Sequence, residues 1–344
     1  MKHLKMCALS LLLFVLALPS IAQTPIPTSA LGEMHWREIG PLRGGRTRAA
    51  VGVPNEPSVF YIGAVNGGVW KTTDFGRTWD PIFDDQPTGS IGYIVVAPSD
   101  PNIVYVGSGE GLHRPDLSVG DGIYKSTDAG KTWTHLGLRD GQQISQMAVD
   151  PRNPNKLFVA VAGHPYGPNK ERGIYRSTDG GQSFQAVLQK DENVGAAGVT
   201  IDPTDSNVVY ATLWEAREGP WENAEWNGTN GGIYKSTDGG QNWQQLGGGL
   251  PAGIAEAYVS VSASNPRRLF ASVATGEKVD LYRSDDAGAT WAITTNDPRP
   301  RGRIGGGDLC VPIIDPKNPD VMYVTSTVTW KSVDAGKTWT AFRG

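Results

Sequence analysis

Short runs of alternating apolar and polar residues, cut by clusters of Gly, Pro, Asn and Asp, fill the chain from Val53 onward. Gly122-Ile-Tyr-Lys-Ser126 and Thr132-Trp-Thr-His-Leu136 show the pattern, with a period of two and turn formers at the ends. Such runs are the mark of half-buried strands. Between them one phrase returns six times. It reads Thr72-Thr-Asp-Phe-Gly-Arg-Thr-Trp79, Ser126-Thr-Asp-Ala-Gly-Lys-Thr-Trp133, Ser177-Thr-Asp-Gly-Gly-Gln-Ser-Phe184, Ser236-Thr-Asp-Gly-Gly-Gln-Asn-Trp243, Ser284-Asp-Asp-Ala-Gly-Ala-Thr-Trp291 and Ser332-Val-Asp-Ala-Gly-Lys-Thr-Trp339. A strand precedes each copy and another follows it, so the phrase is a hairpin turn.

The aspartates of this phrase, Asp74, Asp128, Asp179, Asp238, Asp286 and Asp334, stand 48 to 59 positions apart, the length of one four-stranded propeller blade. A second phrase supplies the other two strands of each unit. Apolar strand, Pro/Asn/Asp turn, apolar strand recurs at Ala97–Val106, Val149–Val159, Ile201–Tyr210, Ser262–Phe270 and Ile314–Tyr323, with a weaker copy at Val53–Tyr61. The predicted fold is all-β: a β-propeller with blades at about 43–83, 89–138, 143–189, 195–247, 254–295 and 303–342. Within each box the Asp carboxylate is expected to accept turn N–H groups, the Gly to supply a positive φ, and the closing Trp or Phe to bury against a neighbouring blade. Six copies doing one job make a structural staple, whereas a catalytic or metal site is normally unique.

Composition agrees with short strands and many turns: 44 Gly, 24 Pro and 11 Trp, with 19% charged residues and a formal net charge of −4. So small a charge argues against electrostatic binding to nucleic acid or to a membrane surface. Residues 1–22 read as a signal peptide: Lys2, His3 and Lys5, then the apolar run Ala8 to Leu18, then Ser20-Ile21-Ala22 before a cleavage point at Gln23. The expected location is secreted or periplasmic, with 23–34 a linker and 35–344 the propeller. Cys7 leaves with the leader, and Cys310 then has no disulfide partner, so core and topology must stabilise the fold. No metal-binding, phosphate-loop or dinucleotide motif occurs, and no cofactor is expected.

The segment His35-Trp36-Arg-Glu-Ile-Gly-Pro41 reads like the outer strand that follows each box. An extra outer strand is expected to complete a last blade whose inner strands lie elsewhere in a longer polypeptide, giving a seven-bladed or tandem propeller. The alternative is a closed six-bladed ring with that segment on its rim.

The S-x-D-x-G-x-T-W phrase resembles the Asp-box, or bacterial neuraminidase repeat. With the D-P-x-N-P turns and Ile39-Gly-Pro-Leu-Arg-Gly-Gly-Arg46, the chain is similar to exported bacterial propellers of the sortilin-like and glycosyl-hydrolase-like group. More loosely it resembles glycoside hydrolase family 74, which cleaves xyloglucan, and the photosystem II assembly factor. Family 74 enzymes carry one catalytic Asp in a T-D-I-G-G-like stretch and its partner in a second propeller. The matching stretch here is Ala64-Val65-Asn66-Gly67-Gly68, with no carboxylate, so the resemblance transfers no catalytic residue.

Unequal loops between second and third strands are the candidate ligand face. Thr212 to Gly232 holds Trp214, Glu215, Arg217, Glu218, Trp221, Glu222 and Trp226; Gly107 to Gly122 holds Glu110, His113, Arg114, Asp116 and Asp121. Gly163 to Arg172 holds His164, Tyr166, Lys170, Glu171 and Arg172, while Arg43, Arg46, Arg301 and Arg303 begin inner strands. Tryptophans among carboxylates suit a sugar platform; the other reading, which the residues favour, is a loop packed onto the propeller or against a second domain. Two functions follow. One is a scaffold binding a glycan, a peptide or a partner such as a second propeller of the same polypeptide. The other is a β-glucan or xyloglucan hydrolase whose site is completed by that second propeller.

Overall fold

The computed structural model describes residues 45–112, 117–215, 228–276, 278–302 and 309–342. Its described residues form six antiparallel four-stranded sheets, each a simple meander, standing as the blades of a propeller. Blade one is β1 (Thr47–Val53), β2 (Glu56–Ala64), β3 (Gly68–Thr72) and β4 (Asp80–Pro81). Blade two is β5 (Ile91–Val96), β6 (Val104–Ser108), β7 (Ile123–Ser126) and β8 (Thr134–Gly137). Blade three is β9 (Ile144–Asp150), β10 (Asn153–Val161), β11 (Gly173–Ser177) and β12 (Gln185–Leu188). Blade four is β13 (Val194–Ile201), β14 (Val209–Glu215), β15 (Gly232–Ser236) and β16 (Gln244–Gln245). Blade five is β17 (Glu256–Val261), β18 (Leu269–Thr275), β19 (Lys278–Ser284) and β20 (Ala292–Ile293). Blade six is β21 (Pro312–Ile314), β22 (Met322–Thr325), β23 (Thr329–Ser332) and β24 (Thr340–Ala341). The only helical pieces among the described residues are two short 3-10 turns, at Arg139–Gly141 and Arg299–Arg301.

Burial follows position in the blade. Second strands have mostly apolar, buried central stretches, sandwiched by neighbours on both faces; Val104 to Ser108 are all buried. Fourth strands are short, four of them only two exposed residues long, which blunts the outer edge against pairing with other chains. The apolar clusters lie between blades: Val104, Val106 and Tyr124 of blade two pack with Tyr61, Val69 and Phe83 of blade one. First strands of successive blades pack side by side from β1 to β21.

All six box turns share one hydrogen-bond pattern. The Ser or Thr hydroxyl donates to the Asp Oδ1 at 2.7–2.8 Å and accepts the box Gly N–H at 2.8–3.0 Å. The same Oδ1 accepts the N–H four residues on at 2.8–3.0 Å, and Oδ2 accepts that residue's side chain. The residue before each box Gly is also left-handed, including Phe75 (φ 63) and Ala129 (φ 59), a conformation costing a non-Gly residue about 1 kcal/mol or more. It is held by its own N–H, which donates to the turn between first and second strands, as Ala129 does to Asn102 at 2.9 Å. The closing aromatics divide: Trp291 and Trp339 are buried, whereas Trp79, Trp133, Phe184 and Trp243 are half-buried.

Candidate functional site

In an antiparallel meander the box turns and the first-to-second turns share one end of each blade. The second-to-third loops therefore open at the other end, and the candidate residues lie there. The first strands of all six blades surround a cavity of about 410 Å³ that runs along the axis, lined by Arg48, Tyr93, Gln146, Thr200, Tyr258 and Ile313 among others.

Glu110 is fully buried and both its oxygens are engaged. Oε2 lies 2.6 Å from the Arg46 guanidinium and Oε1 accepts the Ser118 N–H at 2.8 Å. Gln143, from blade three, accepts the N–H groups of Glu110 and Gly111 through Oε1 and donates Nε2 to the Ser118 carbonyl. Arg48 donates to the Glu110 carbonyl at 3.1 Å, and Asn66 donates to the Ser118 hydroxyl at 2.7 Å. Arg46 and Glu110 thus meet, as members of a network that ties blades one, two and three. A carboxylate so enclosed braces a loop and is closed to solvent. Arg48, Gln143 and Ser118 escaped the sequence reading because nothing local marks a Gln or a Ser as the receiver of another blade's backbone.

Trp214 also departs from expectation. The sequence reading starts its loop at Thr212, but β14 continues to Glu215, which makes Trp214 a strand residue. It is 3% exposed and packs with Ala197, Tyr258, Ala274 and Leu309, so no ring face is open for a sugar. Glu215 closes the base of that loop by accepting the N–H groups of Thr229 and Asn230 at 3.0 and 3.1 Å. His113, Arg114, Trp221, Trp226 and Arg303 lie outside the described residues, as do the leader and the segment 35–41.

The loop of blade three carries the accessible chemistry. Its Tyr166 ring is 43% exposed, and His164 Nε2 lies 3.0 Å from the Asp140 Oδ1 of the preceding 3-10 turn. Asn169 donates to Asp140 Oδ2 at 2.9 Å, and Arg172 donates to the carbonyls of His164 and Gly167. Burial pushes the Glu171 carboxyl above the usual carboxylate range, with the Asp140 charge adding to the rise. A half-buried imidazole, an exposed tyrosine and the exposed Asp140 carboxylate here form a polar surface able to donate to and accept from hydroxyls. The other basic candidate, Arg301, is tied to Asp280 and to the Asp297 carbonyl. Among the described residues no group of His, Cys, Asp and Glu is arranged to hold a metal ion.

Comparison with known proteins bears on this geometry. The family model described as "Sortilin, neurotensin receptor 3" matches residues 121–270. The xyloglucanase Xgh74A of Acetivibrio thermocellus is 27% identical over 94% of this chain and 42% of its own, and a xyloglucanase from Paenibacillus sp is 26% identical over 94% of this chain and 34% of its own. Among solved structures, the GH74 xyloglucanase from Xanthomonas campestris superposes with a TM-score of 0.63 at 18% identity, covering 84% of this chain and 45% of that one. YCF48 bound to D1 peptide superposes at 0.56 with 14% identity, covering 87% and 82%. The chain is therefore similar to sortilin-like and family 74 propellers, and spans less than half the length of the curated relatives it matches.

Proposed function

We propose that this chain is a glycan-binding propeller, which holds an extended β-glucan of the xyloglucan type across its second-to-third loop face outside the cytoplasm. The observation that carries this reading is the similarity to xyloglucanases along 94% of the chain. The surface of exposed Tyr166 and Asp140 with half-buried His164 supports it, because pyranose rings pack on an aromatic face while imidazole and carboxylate bond the hydroxyls. Binding without hydrolysis is favoured by two observations. Val65 or Asn66 stands where the resemblance expects a carboxylate, and Glu110, a buried acid on the neighbouring loop, is engaged by Arg46 and Ser118.

Affinity electrophoresis in xyloglucan-containing gels tests it. The chain should be retarded, and Tyr166→Ala should weaken retention up to roughly tenfold, the equivalent of an aromatic contact worth about 0.5–1.5 kcal/mol. Unretarded migration in xyloglucan and in other soluble β-glucans would remove the reading. A second reading, hydrolysis shared with a further propeller, draws on the relatives' names and on the short span of them that the chain covers. It requires reducing-sugar release from xyloglucan by the longer polypeptide, abolished by removing one loop carboxylate.

A further inference from the structure

The connector between blades two and three, residues 138–143, is held from both sides and bent against its own preference. Leu138 and Gln142, which bracket the 3-10 turn Arg139–Gly141, have φ of 55 and 54. Residues other than glycine rarely adopt that left-handed conformation, and it persists only where the surroundings over-determine it.

On one side the connector grips the loop of blade two. Arg139 lies 3.2 Å from Asp121, the Gln142 carbonyl accepts the Gly120 N–H at 2.9 Å, and the Gln143 side chain takes the N–H groups of Glu110 and Gly111. On the other side the loop of blade three grips the connector. His164 and Asn169 converge on Asp140, and the Ala162 N–H bonds the Gln143 carbonyl at 2.9 Å. Both candidate loops thus hold one short connector, and whatever shifts its turn is felt by both.

Glu171 lies where such a shift would start. A Cβ on Gly141 would come within 2.7 Å of Val161 and 3.4 Å of Glu171 Oε2, so the turn, β10 and the carboxyl are closely packed. Oε2 is buried and, among the described residues, receives no hydrogen bond. The titratable groups around the carboxyl are Asp140 of the turn, His164 of its own loop and Tyr175 of β11. The neighbouring bases are directed elsewhere: Arg172 to the His164 and Gly167 carbonyls, Arg139 to Asp121, and Lys170 is exposed. On the blade-two side His135 Nε2 lies 2.7 Å from the Asp121 carbonyl. An ionised Glu171 therefore confronts a second carboxylate across a strained turn, and a neutral one does not.

We propose that residues 138–143 form a pH-sensitive latch: with Glu171 neutral the turn seats against blade three and holds the loop of blade two, and with Glu171 ionised it slackens and loosens both loops together. Burial chiefly, and then the Asp140 charge, raise the folded pKa of Glu171 above the unfolded one, with the Gly141 N–H opposing. Its share of stability is therefore full at low pH and is lost as pH rises through the folded value. Any effect on glycan retention rests on the function proposed above, whereas the latch is read without a ligand.

Hydrogen exchange of the whole chain, corrected for the intrinsic effect of pH on exchange, tests this. Protection of the Glu110, Gly111 and Gly120 amides should fall about threefold or more between about pH 5 and about pH 8, while β17 of blade five stays constant. Glu171→Gln should keep the high protection at both pH values. Asp140→Asn, which removes the facing charge, should shrink the fall. Four results overturn the proposal: no fall in the unaltered chain; a fall that β17 shares, meaning general loosening; a fall that survives in Glu171→Gln, meaning that His164 or His135 sets it; or an undiminished fall in Asp140→Asn. Loss of xyloglucan retention with the expected exchange pattern removes the glycan reading and leaves the latch; retention with no fall does the reverse.

Discussion

At the scale of the residue, the serine of the box matters as much as the aspartate that marks it. Ser126 is buried, donates to Asp128 and accepts the Gly130 N–H, so its loss strands a buried donor and frees the carboxylate to turn away. Ser126→Ala should cost about 1–3 kcal/mol in urea unfolding. Ser126→Thr should cost little, because Thr72 makes the same bonds at 2.8 and 3.0 Å in blade one. Equal losses for the two variants would contradict this account. The left-handed Ala before Gly130 was not legible in the sequence, since alanine carries no preference for that conformation. Only the bonds to its N–H and carbonyl, both from residues distant in the chain, explain it.

At the scale of the element, strand and hairpin positions were readable because period-two runs and turn formers are local signals. The seams between blades were not, because they join residues roughly one repeat apart through backbone carbonyls, as Lys71 joins that of Ala129, and no side-chain pattern announces them. The chain carries its own controls for what an aromatic contributes there. Tyr105 donates its hydroxyl to the Pro154 carbonyl at 3.0 Å, while Phe158 and Phe270 fill the equivalent place with no hydroxyl. Tyr105→Phe should therefore cost about 0.5–1.5 kcal/mol and Tyr105→Ala about 3–5 kcal/mol, measured by equilibrium unfolding. A Phe variant as damaging as the Ala variant would mean that the hydroxyl, and not the ring, closes the seam. The candidate site was legible only in part for the same reason. His164 and Tyr166 sit on a loop that its glycines and prolines announce. Trp214 read as a loop residue until the strand end took it in, and Glu110 read as an open loop carboxylate until a distant arginine engaged it.

At the scale of the whole molecule, six equivalent carboxylates make acid a shared weakness. Hydrogen bonds from the Thr78 backbone and side chain and from Thr72 hold Asp74 at about 2. The Thr132 side chain and backbone and Ser126 hold Asp128 at about 2, and the Thr290 side chain and backbone and Ser284 do the same for Asp286. Asp179, Asp238 and Asp334 shift in the same direction. Unfolded aspartates titrate near 3.9, so these groups contribute their stabilisation above that pH and lose it as pH falls towards about 2. The melting temperature should be level above about pH 5 and drop steeply between pH 4 and 2. A level profile down to pH 2 would show that the turns hold without their charge.

The buried thiol of Cys310 gives this arrangement a chemical voice. It lies against Phe270 and Leu281 of blade five and donates to the Gly302 carbonyl at 2.9 Å, inside the last filled boundary of the array. A soluble thiol reagent should therefore label it slowly, at the rate at which the packing around it opens. The labelling rate of this one side chain would thus time how often the boundary between blades five and six loosens, a clock set by packing alone.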